Sequence, residues 1–124
     1  MKSLSNYLKI MPLNNYESIN GNDLIGTIDQ LFIKTTNDLE VEEKPNKKSG
    51  GRFIDQYMKA VSSVLSESDK KTYPAAIPVM VLLFTDDGTP VLWGGEEQKL
   101  RLTITSRPDC YIFEFKRQTT TTLF

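Results

Sequence analysis

By residue type, the adjacent carboxylates Asp86, Asp87 and Glu96, Glu97 are the groups best suited to hold a cation or move a proton. Each pair stands in a turn, and the two turns flank one short strand. At about 3.4 Å per residue, roughly five residues hold the pairs about 17 Å apart, too far to share an ion. They read as turn and solubility residues. The 124-residue chain has no histidine and one cysteine. Cys110 begins a strand on the face of Ile112 and Glu114 and has no imidazole to activate it. A serine nucleophile meets the same obstacle, because Ser49 beside Lys48 is not by itself a Ser–Lys pair. No catalytic residue, metal ligand or cofactor site is expected, and the chain reads as a non-enzyme.

Binding chemistry remains. Lys44, Lys47, Lys48, Ser49, Gly50, Gly51 and Arg52 lead toward a predicted helix N-terminus, where free N–H groups attract anions. No lysine follows the glycine pair in Walker spacing, so a linker is the first reading and a phosphate or nucleic-acid contact the second. Trp93, before Gly94 and Gly95, is either an exposed anchor or the cap of a sheet core. The residues taken forward as interaction candidates are Lys47, Lys48, Arg52, Trp93, Thr121, Leu123 and Phe124.

The composition suits one globular domain: 39% hydrophobic, 25% charged, and a single core for this length. Fifteen basic residues against sixteen acidic ones leave a net charge of −1. That disfavours broad binding to nucleic acid or anionic membrane. A lone cysteine allows no internal disulfide. The first ten residues lack a secretory apolar core, and the apolar run at 75–84 contains Pro78 and falls short of the ~20 residues of a membrane span. Cytoplasmic synthesis is the expectation.

Positioning elements follow from periodicity. Leu4, Tyr7, Leu8 and Met11 fit one face of a short helix closed by Pro12. In residues 24–36, Leu24, Ile28, Leu31 and Phe32 match a helical template, but from about Thr27 the β-branched residues favour a strand, with residues 39–43 as its partner across a turn at Asn37 and Asp38. Residues 44–51 form the linker. Phe53, Ile54, Tyr57, Met58, Val61, Val64 and Leu65 recur at helical spacing, predicting an amphipathic helix over residues 52–65. Glu67 to Lys71 reads as polar loop. Residues 77–84 are nearly all apolar, as in a strand covered on both faces. Short strands follow at 91–93, 100–105 and 111–116, separated by Asp-Gly, Gly-Gly and Pro-Asp turns. The predicted fold is α+β: a four-stranded antiparallel meander over 77–117 packed on the 52–65 helix. The irregular region 1–43 adds a helix and strands, and 118–124 is a tail.

The C-terminal third resembles small bacterial prophage and tail-associated structural proteins. The shared features are Asp87 and Gly88, then Trp93 and Gly94, then Leu100, Arg101 and Leu102. Tyr111, Phe113 and Phe115 follow, and the threonine-rich residues 119–124 close the pattern. This resemblance implies a non-enzymatic virion, neck or tail component, oligomeric and working through contacts with subunits of its own or a neighbouring kind. The competing expectation is a soluble protein-binding module, such as an immunity or anti-defence protein. The tail itself has little means of ordering alone, so pairing at a sheet edge or docking on a neighbour is expected.

Overall fold

The computed structural model describes residues 3–46, 53–63 and 65–123. Among the described residues ten β-strands, a 3-10 turn (Leu13–Asn15) and one short α-helix succeed one another. The strands are β1 (Leu4–Pro12), β2 (Tyr16–Asn20), β3 (Asp23–Gly26), β4 (Leu31–Lys34), β5 (Glu42–Asn46) and β6 (Phe53–Ser62). After helix α1 (Glu67–Thr72) come β7 (Ile77–Thr85), β8 (Pro90–Trp93), β9 (Leu100–Ser106) and β10 (Tyr111–Thr119). Eight strands make one antiparallel sheet in the order β4-β1-β7-β9-β10-β6-β5, with β8 also on β7. The remaining two, β2 and β3, form a separate hairpin.

The sheet closes on itself. Its two ends, β4 and β5, belong to one stretch of chain, residues 31–46. The first part pairs with β1 and the last part with β6. Between them Thr36 donates its amide to the Val61 carbonyl at 2.8 Å. Asn37 accepts from the Val61 amide at 2.8 Å and donates to the Lys59 carbonyl at 2.9 Å. A side chain thus replaces a ladder where the stretch crosses from β1 to β6, and the β6 groups avoid being left unpaired. Residues 36 and 37 join the two end strands of the sheet across β6.

One core fills the inside. Leu8 and Ile10 of β1, Met58 and Ala60 of β6, Val79, Val81 and Leu83 of β7, Leu100 and Leu102 of β9, and Phe113 and Phe115 of β10 alternate inward, with Trp93 from β8. A second, smaller cluster lies on the outer face, where Met11, Leu24, Leu82 and Phe84 pack together under the β2–β3 hairpin. Strand β7 is therefore buried on both faces, which accounts for its continuous apolar run.

These findings correct the predicted four-stranded meander on a helix. Residues 53–62 are strand β6, not a helix. Its buried face carries Gln56, Met58, Ala60 and Ser62, and those small or polar residues hide the period of two. The half-buried Phe53, Tyr57 and Val61 on the other face mimic a helical stripe. Likewise residues 4–12 are strand β1, with Leu8 and Ile10 facing the core and Tyr7 and Met11 the opposite cluster. Strand β4 pairs with β1, while residues 42–46, the end of the expected partner and the start of the expected linker, join β6. The polar stretch 67–72 is the helix, and Ser66 caps it by accepting from the Asp69 amide.

The strands expected at 77–84, 91–93, 100–105 and 111–116 all form, but not as a meander. Both β8 and β9 lie on the same side of β7, Trp93 opposite Val81 and Leu100 opposite Val79. Residues 94–99 make an excursion between them. Gly94 has φ +123°, and a Cβ there would stand 2.9 Å from the Val79 carbonyl oxygen. Only glycine permits that approach.

Candidate functional site

Two surfaces stand out on the closed sheet. The first surrounds the β2–β3 hairpin. Of the five large apolar side chains exposed among the described residues, Ile19, Ile25, Ile28 and Phe32 fall within β2, β3, β4 and the β3–β4 connection. Phe32 is 54% exposed. Its ring stands 5.6 Å from Tyr7, which stacks on Phe84 at 4.8 Å. An aromatic row thus runs from the covered outer face of β7 to open surface on β4.

Polar bonds fix the hairpin's base. Lys9 pairs with Asp23 at 2.8 Å and donates to the Asn22 carbonyl. The Gln30 side chain donates to the same Asp23 carboxylate and accepts from the Leu24 amide. Hydrogen bonds from Lys9 and Gln30 and the Lys9 charge hold the Asp23 carboxyl below its ordinary range. Gly26 passes so close to the Asn15 carbonyl and the Met11 sulfur that any Cβ would overlap them. These contacts position the hairpin's root, while Ile19 and Ile25 remain exposed.

The second surface is an open groove of about 840 Å³ across the outer face of β9, β10 and β6. The register sets its chemistry. Arg101 lies directly opposite Lys116, and Lys116 lies opposite Tyr57. Gln118 lies opposite Asp55 in the next row. Lys99 and Arg117 bring the lining cations to four, against Asp55 and Glu97. Arg101 spends one N–H on the carbonyl of Ala76, whose φ of +60° is uncommon outside glycine. Tyr57 donates its hydroxyl to Glu114 at 2.8 Å, and burial together with that carboxylate raises its pKa. Burial lowers the Arg117 guanidinium, which donates to the Gln98 carbonyl.

Trp93 was expected among the interaction residues and proves to be fully buried, its indole N–H bonded to Gln56, so it is a core side chain. Leu123 packs against the chain's own core and its amide donates to Glu43 at 2.9 Å. Thr121 is exposed, with its amide on the Thr119 hydroxyl. Lys47, Lys48, Arg52 and Phe124 lie outside the described residues. The acid pairs 86–87 and 96–97 stand at opposite ends of β8, and Cys110 is half-buried in the β9–β10 turn. Among the described residues no group of three potential ligands could hold a metal, and no helix is long and apolar enough to cross a membrane.

Sequence reasoning missed Phe32 and the isoleucines because single exposed apolar residues carry no pattern. It missed the groove because the Arg101–Lys116 pairing exists only once β9 and β10 are in register. No family model, curated protein or solved structure matches the chain.

Proposed function

We propose that the chain is a non-enzymatic assembly protein that contacts further copies of itself through the β2–β3 hairpin and Phe32. The observation supporting this reading is the concentration of exposed apolar side chains on the β2–β3 hairpin, the connection that follows it and the adjoining end strand β4. A two-stranded hairpin is marginal alone, and this one leans on the outer cluster by Leu24 while leaving Ile25 exposed. Apolar surface concentrated in this way marks protein contact. A phage or tail-like particle is the setting that the resemblance of the C-terminal strands suggests.

A second reading is favoured by one observation. The tail, expected to reach a neighbour, is tied to its own chain through Leu123 and Glu43. That removes one argument for self-assembly and favours a soluble binding module whose hairpin surface receives a different protein. Light scattering on the purified chain separates the two. A multimer that Phe32→Glu converts to monomer supports assembly, whereas a wild-type monomer at all concentrations transfers the surface to the second reading.

A further inference from the structure

The groove on β9, β10 and β6 is separate in sequence and in its strands from the hairpin surface. Its distinguishing feature is a like-charge pair. Arg101 and Lys116 face each other across adjacent strands, an arrangement that costs stability unless something intervenes. Neither is in an ion pair among the described residues. Two of the nearby carboxylates have partners of their own: Glu114 accepts from Tyr57, and Asp55 accepts from Gln118 at 3.5 Å. Two cations held side by side without a counter-ion present a ready oxyanion site, and the Arg fork suits phosphate geometry.

The rest of the groove narrows the ligand. Tyr57 is next in the same row after Lys116, so its Cα stands two strand spacings from that of Arg101, about 10 Å. That span fits a ligand whose anionic end meets Arg101 and Lys116 while a planar body rests on the tyrosine. The Gln118 side-chain oxygen in the adjoining row, whose amide nitrogen donates to Asp55, offers an acceptor to a ligand amine. The carboxylates Asp55 and Glu97 oppose a long polyanion. We infer that the groove binds a small phosphorylated ligand with a planar, hydrogen-bond-donating body, the chemistry of a nucleoside monophosphate.

Titration of the full chain with adenosine monophosphate, adenosine and inorganic phosphate, followed by amide NMR, tests this. Adenosine monophosphate should shift the resonances of Arg101, Lys116, Tyr57 and Gln118, and bind at least about tenfold more tightly than either fragment. Lys116→Glu and Arg101→Glu should each abolish the shifts, while Lys59→Glu, on the same face but outside the groove, should leave them intact. Lys116→Gln should lose binding with a thermal midpoint equal to or above wild type, because relief of like-charge repulsion opposes any loss of packing. If that variant does not fold, Lys116→Met gives the same comparison without touching the Arg101 bond to Ala76. Shifts absent at millimolar ligand, or unchanged in both charge reversals, overturn the site. Inorganic phosphate binding as tightly as the nucleotide overturns the planar body, and tighter binding of an oligonucleotide overturns the small ligand.

Discussion

Gln56 and Trp93 meet inside the closed sheet: the indole N–H donates to the Gln56 side-chain oxygen at 2.8 Å, both residues being buried. The amide of Gln56 in turn donates to Glu43, whose carboxylate also accepts from the Leu123 amide. One polar chain thus links β8, β6, β5 and the tail. Gln56→Met keeps the volume but strands a buried indole donor, which costs about 1–3 kcal/mol. A double-mutant cycle with Trp93→Phe in chemical denaturation measures the coupling. A coupling below about 0.5 kcal/mol would show that the bond contributes no more than independent sites do.

Leu102 projects from β9 into the core, opposite Ile77 on one side and Phe115 on the other. Being fully buried, it leaves a cavity when truncated. Leu102→Ala is expected to lower stability by about 2–5 kcal/mol. An unchanged denaturation midpoint would contradict the inward face assigned to β9.

The tail belongs to the fold. Thr119 is buried and donates to Gln98, and Leu123 packs on the core. Deleting residues 118–124 therefore lowers the denaturation midpoint of the isolated chain, because β10 loses ladder bonds along with those contacts. A truncated chain as stable as the intact one would show the tail to be an appendage.

Alkaline stability depends on Tyr73, whose pKa burial drives well above the ordinary value of 10.0, with Asp69 adding to the shift. Its neutral hydroxyl donates to the Ile10 carbonyl at 3.3 Å. A raised folded pKa contributes stability that is complete below about pH 10 and lost as pH rises toward the folded value. Tyr73→Phe should be less stable at neutral pH by about 0.5–1.5 kcal/mol, yet lose stability less steeply above pH 10. Parallel profiles for the two proteins would contradict this.

How much of this was legible depended on where alternation stayed pure. In β9 and β10, Leu100, Leu102, Phe113 and Phe115 alternate with polar residues, and both strands are where the pattern puts them. In β6 the same rule was masked by Gln56 and Ser62 on the buried face, since a polar residue inside a core is explained only by a partner distant in sequence. The six-residue α1 is too short for periodicity, although Ser66 with an acid at Asp69 is a capping signature. Closure rests on Asn37, whose neighbours in sequence read only as a turn. Neither the groove nor the hairpin surface has a local motif; both are products of register and topology.

Association through the β2–β3 hairpin predicts a concentration dependence of amide hydrogen exchange confined to that surface. At low concentration the amides of residues 16–26 should exchange quickly, as expected for a two-stranded unit on the outside of the sheet. At high concentration their protection should rise together with that of β4, while β9 and β10 remain unchanged. The Phe32→Glu chain should show no such rise. Hairpin protection that is the same at every concentration, in wild type and variant alike, would contradict the claim.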